Sequence, residues 1–124
     1  MNTTPTPFSV AEHSSANHTT TISLHGYLDA HTAPVLEEAI ERTILAGCSR
    51  IVVDFTNLDY ISSAGLGVFM IFIERLRSDG GDIKLAAMRP SVFTVFDLLG
   101  FPVLFTIADS AEQAINAFPA YHAE

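Results

Sequence analysis

The sequence predicts a single α/β domain over residues 1–124, with a mixed sheet of four to five strands and about four helices. Three observations carry this. Short β-branched runs alternate with segments of helical periodicity after an initial pair of strands. The chain is 48% apolar and 16% charged over 124 residues, enough to build one core and too apolar for disorder. Its one cysteine, Cys48, excludes an internal disulfide and fits a reducing compartment.

The elements follow in order. Residues 1–7 are rich in Thr and Pro and are expected to fray. A short strand is expected over Phe8–Glu12, then a Ser/Asn turn through Ser14–Asn17. From Thr19 to His25 the chain alternates, with Ile22 and Leu24 on one face, and Gly26 is read as its end. Leu36, Ala39, Ile40, Thr43 and Ile44 then form one apolar stripe at helical spacing. Pro34 restricts the start of that helix to His31–Ala33, and Gly47 stops it.

Arg50–Phe55 contains the run Ile51-Val52-Val53, apolar on both faces, which predicts a central strand. A turn is expected through Thr56–Tyr60, then a helix over 64–78 closed by Gly80-Gly81. Ile83–Met88 reads as a strand, Pro90–Leu99 as a helix ended by Gly100, and Val103–Ile107 as a short strand. A last helix covers Ser110–Phe118. Each strand–helix–strand unit is expected to cross over right-handed.

Composition narrows the function. A net charge of −8 with six basic residues argues against nucleic acid, whose phosphates need clustered Lys and Arg. The longest apolar stretch, Leu66–Ile73, is far short of the roughly 20 residues of a membrane span, and the first residues hold no secretory pattern. A cytoplasmic, partner-binding protein is the expectation.

No catalytic set is apparent. Gly65 and Gly67 begin a dinucleotide fingerprint, but Met70 stands where its third glycine belongs. No Gly-Lys-Ser/Thr phosphate loop occurs, and Ile61 replaces the first glycine of a nucleophile elbow around Ser63. His13, His18, His25, His31 and His122 lack metal-ligand spacing, so neither a metal nor a cofactor is expected.

The informative segment runs from Val53-Asp54 to Ser62-Ser63-Ala64-Gly65-Leu66-Gly67-Val68. A buried strand ends in an acid, and two serines sit where a helix begins. Read locally, Ser63 is an N-cap whose hydroxyl accepts a free backbone N–H. Gly65 and Gly67 each cost the helix about 1 kcal/mol, so close approach by a loop or a partner is the expected reason for them. Leu66 to Ile73 is apolar nearly all round, with Phe69, Ile73 and Leu76 expected on the sheet and Met70 or Phe72 left for a surface beside the serines. Asp54 is read as hydrogen-bonding the loop and Asp59 as shaping the turn.

This serine–glycine segment resembles the phosphorylation loop of STAS-domain anti-sigma-factor antagonists. Gly26-Tyr27-Leu28-Asp29 with His31-Thr32-Ala33 resembles that family's first strand-to-helix corner, and Pro90–Phe101 with Leu104-Phe105 and Ser110–Ala114 its closing segment. The likeness covers residues 19–118. It implies a non-enzymatic switch that binds an anti-sigma-factor serine kinase when unphosphorylated, releasing a sigma factor, and that a serine phosphatase resets. The implied phosphoacceptor is Ser63, with Ser62 as the alternative. Asp29, Ser62, Ala64, Gly65, Leu66, Gly67 and Met70 are the implied partner contacts. Ser62 stands where the family usually has aspartate, and Ala64 where it has Ser or Thr. Two other readings stay open: a STAS scaffold in transport or other signalling, whose serine is structural, and a small enzyme or ligand-binding protein reusing the fold. Self-association is not legible.

Overall fold

The computed structural model describes residues 8–122, so the expectation for residues 1–7 lies outside the described residues. Five strands form one sheet in the order β1-β2-β3-β4-β5: β1 (Ser9–Ser15), β2 (Thr19–Leu28), β3 (Arg50–Ile61), β4 (Asp82–Ala86) and β5 (Ile107–Ala108). β1 pairs antiparallel with β2, and every later neighbour pairs parallel. The helices are α1 (Ala33–Leu45), α2 (Ser63–Ser78), α3 (Pro90–Leu98), α4 (Phe101–Leu104) and α5 (Ala111–Asn116). This is the predicted mixed sheet.

Side-chain alternation along β3 divides the interior into two layers. Ile51, Val53 and Phe55 point into the main core beneath α1 to α4, whereas Val52 joins Ala86, Ala114 and Phe118 under α5. The predicted α1 stripe is buried at Leu36, Ala39, Ile40 and Thr43, and half-buried at Ile44. Phe55, Phe69, Phe96, Phe101 and Phe105 form one chain of ring contacts, with successive centroids 5.3 to 6.5 Å apart. Each such ring contributes about 1.5–3 kcal/mol by burial alone.

Three expectations are corrected. β2 does not end at Gly26, and Thr56–Tyr60 is no turn. Both strands continue, to Leu28 and Ile61, through two β-bulges. Between Ser23 and His25, β3 advances from Asp54 to Asn57, and between Gly26 and Tyr27 it advances from Leu58 to Tyr60, so each bulge adds a residue to β3. Gly26 takes φ 97° at the second bulge, where a side chain would be strained. The shift turns Leu58 and Ile61 into the main core. Val103 lies in α4 rather than a strand, because Pro102 sits in the first turn of a helix just four residues long.

Both long helices close as the glycines foretold. At the end of α2, Gly80 with φ 79° lets its N–H donate to Arg77 O at 3.1 Å and lets Gly81 N donate to Leu76 O at 2.9 Å. Gly47 does the same for α1, with Cys48 N donating to Thr43 O at 3.1 Å. The β1–β2 turn holds Asn17 and His18 at φ 62° and 53°. Asn17 latches the chain's end there: its amide donates to the carbonyls of Ile115, Phe118 and Pro119, and its Oδ1 accepts from Tyr121 N at 2.8 Å.

Candidate functional site

The site forms where β2 and β3 leave the sheet side by side. Leu28 pairs with Ile61, and Ser62 N donates to Leu28 O at 2.9 Å, so the β2–α1 corner and the start of α2 are stitched together. Ser62 is extended, and its hydroxyl accepts from Gly65 N at 3.4 Å. The N-cap is therefore Ser62, not Ser63. With two adjacent serines, only the register of the helix decides which one caps. Serine suits this place because its hydroxyl accepts a free backbone N–H. Ser62→Ala is expected to cost about 1 kcal/mol in thermal or urea denaturation. A change below about 0.3 kcal/mol would show that this long hydrogen bond contributes nothing.

Being relieved of capping leaves Ser63 free for other chemistry. It occupies the first turn of α2, is exposed, and its hydroxyl has no hydrogen-bond partner among the described residues. Backbone N–H groups and the positive end of the helix dipole lie beside it, which favours a negative group at this position.

The two glycines of α2 have different causes. A Cβ on Gly65 would stand 2.8 Å from Leu28 Cγ and 2.9 Å from Leu28 O, so the corner packs directly on the helix backbone. A Cβ on Gly67 would meet nothing within 4 Å. No contact among the described residues accounts for Gly67.

Helical spacing sorts the remaining residues. Ser63, Ala64, Gly67, Met70, Ile71 and Glu74 are exposed along one side of α2, with Met70 45% and Ile71 60% accessible. Phe69, Phe72, Ile73 and Leu76 are buried. Leu66 is also buried at 2% exposure, and Gly65 is covered by Leu28. These two are corrected from surface contacts to supports of the surface. Asp29, Ser62, Ala64, Gly67 and Met70 retain accessible area.

Asp29 organises the corner. Its Oδ1 accepts from His31 N at 2.9 Å and Thr32 N at 3.1 Å, while Thr32 Oγ1 donates to Tyr27 O at 2.8 Å. This half-buried carboxylate sits one residue from the hydrogen bond joining Leu28 to Ser62. Asp54 accepts from the Thr56 N–H and hydroxyl, but within β3 at its first bulge, so it braces a strand rather than the expected loop. Asp59 instead pairs with Arg89, the residue that caps the start of α3, at 2.6 Å. Sequence reading passed over Tyr27, Tyr60 and Ile71. The two tyrosines are register partners on the sheet face opposite Leu28 and Ile61, with centroids 5.7 Å apart and nearly half their surface exposed. Alternation from Leu28 could have placed Tyr27 there; Tyr60 was hidden by the bulge.

Among the described residues no group of three or more His, Cys, Asp or Glu is placed to hold a metal ion, and no helix is long and apolar enough to cross a membrane.

Comparison with known proteins adds independent information. Residues 9–114 match the family model for the STAS domain. A Bordetella bronchiseptica protein named as an anti-sigma factor antagonist, BtrV, is 38% identical over 95 residues, covering 77% of this chain and 82% of its own length. The structure of an anti-sigma factor antagonist from Mycobacterium paratuberculosis superposes with a TM-score of 0.81 at 22% identity, covering 90% of this chain and 93% of that one. The antagonist SpoIIAA, solved unphosphorylated, gives a TM-score of 0.75 at 24% identity, covering 88% and 95%. Its phosphorylated form from Bacillus gives 0.68 at 24% identity, covering 88% and 98%.

Proposed function

Because the chain belongs to the STAS-domain family, and to its anti-sigma-factor-antagonist branch, we propose that it binds an anti-sigma-factor serine kinase and that phosphorylation of Ser63 ends that binding. The observation that carries the proposal is the exposed, unengaged Ser63 hydroxyl at the first turn of α2, beside the accessible stripe Ala64–Gly67–Met70–Ile71. Unphosphorylated, the stripe and the Asp29 corner dock on the kinase, which then releases its sigma factor. A serine phosphatase resets the switch. The circuit operates in the cytoplasm, and this chain acts in it as a substrate and binding partner rather than as an enzyme.

Physical magnitudes support this division of labour. A phosphoserine adds nearly two negative charges. At a helix N-terminus these are accommodated with about 0.3–1 kcal/mol of favourable interaction, so the fold need not move. Nucleic acid remains an unsuitable partner: five of the six basic residues, Arg42, Arg75, Arg77, Lys84 and Arg89, already sit in ion pairs.

Incubation with its cognate anti-sigma kinase and ATP is expected to place one phosphate on Ser63, located by peptide mass spectrometry, and Ser63→Ala is expected to abolish labelling. Phosphate on Ser62 with Ser63 unmodified would overturn the assignment.

A further inference from the structure

A second feature lies at the other end of the sheet. β2 and β3 start there, at Thr19 and Arg50, roughly 35 Å from Ser63 by the length of β3. Between the β1–β2 turn, the end of α1 and the latched tail is a cavity of about 490 Å³. Ser14, His18, Cys48, Ser49, Arg50 and Tyr121 are among its walls. Its volume falls within the range of small-molecule sites.

The charge pattern marks this cavity out. Among the described residues, Arg50 alone of the six cations has no carboxylate partner. Its guanidinium donates to neutral carbonyls, through Nε to Asn17 O at 3.1 Å and through Nη2 to Pro119 O, and lies 4.9 Å from the Phe118 ring centroid. None of these contacts neutralises its charge. Among the described residues its wall contains no Asp or Glu, in a chain of net charge −8, whereas the adjoining hollow that shares Ser14, Thr20, Ala46 and Cys48 includes Glu12, and two hollows elsewhere include Glu37 and Asp109. The hydroxyls of Ser14 and Ser49 have no hydrogen-bond partner among the described residues, and Tyr121 stacks on His18 at 3.7 Å to form an aromatic wall. The carbonyl end of α1 borders the cavity and would by itself disfavour an anion. Its last turn is already answered, however, by Gly47 N on Ile44 O and Cys48 N on Thr43 O.

We propose that this cavity binds a small organic oxyanion, a carboxylate or phosphate ester, with Arg50 as its counter-charge and the Ser14 and Ser49 hydroxyls as further donors. The proposal is independent of the switch at Ser63. Charge-assisted hydrogen bonding from a half-buried arginine, away from any carboxylate, supplies the recognition.

The test titrates the full chain, labelled with ¹⁵N, with inorganic phosphate, glycerol 3-phosphate and malate in turn, against chloride at matched ionic strength. Saturable amide shifts at Ser14, His18 and Cys48 are expected with at least one of them, and the set that binds tells phosphate from carboxylate. Arg50→Gln is expected to weaken binding about tenfold or more. Because Arg50 also holds the tail, a second measurement needs no variant: the same ligand should slow alkylation of Cys48, the single cysteine, in the natural chain. Shifts that never saturate, equal binding by Arg50→Gln, or unprotected Cys48 would overturn the proposal.

Discussion

Ser63→Asp is expected to bind the anti-sigma kinase about a hundredfold more weakly than the natural chain, while Ser63→Ala keeps its affinity. The physical basis is local. Ser63 is exposed and makes no hydrogen bond with the described residues, so neither substitution removes a contact that holds the fold. A carboxylate added at an interface, about 5 Å from a like charge at an effective dielectric near 20, costs roughly 3 kcal/mol. That is about two decades of affinity. The Asp29 carboxylate, tied to the same corner, keeps the surface acidic and adds to the effect. Calorimetric titration measures the affinities, with thermal melts as a check that both variants fold alike. Because the term is electrostatic, added salt should recover part of the lost affinity of Ser63→Asp alone. Equal affinities for the two variants would remove charge as the gate.

Gly65→Ala and Gly67→Ala are expected to behave oppositely. At Gly65 the new methyl would meet Leu28 Cγ at 2.8 Å and Leu28 O at 2.9 Å, and that carbonyl cannot retreat because it accepts the Ser62 N–H. Overpacking of this kind costs about 1–3 kcal/mol, exceeding the gain in helix propensity of roughly 1 kcal/mol. A net loss of about 1–2 kcal/mol is therefore expected in urea denaturation. At Gly67 nothing lies within 4 Å, so alanine should stabilise the chain by about 0.5–1 kcal/mol. If the proposed interface is right, it should nevertheless weaken kinase binding about tenfold, because the added methyl would crowd a closely packed partner. A Gly67→Ala chain that is more stable and binds as well as before would show that this glycine has no interfacial purpose.

The parts of the molecule legible from residues alone share one property: they are local. Pro34 and Gly47 bracket α1, Gly80-Gly81 ends α2, and Ile51-Val52-Val53 marks the central strand. The misreadings arose where distant pairing overrode local preference. Asn57 and Asp59 are turn formers, yet β2 holds them in a strand through His25 to Leu28. Phe101–Leu104 is too short to show a helical period. At the site, the exposure of Met70 was legible by spacing, whereas Ser63 was singled out by likeness alone. The burial of Leu66 and Gly65 was not, because it depends on Leu28, 37 residues earlier in the chain than Gly65. Which of two neighbouring serines caps the helix is likewise decided by the sheet, through the Leu28–Ser62 hydrogen bond.

The chain has no tryptophan and three tyrosines, and two of those three form the exposed Tyr27–Tyr60 pair flanking the start of α2. Its ultraviolet emission is thus weighted toward the neighbourhood of Ser63. A partner bringing tryptophan to that spot would quench the signal by energy transfer, so the proposed assembly and release could be followed optically in real time without attaching a dye.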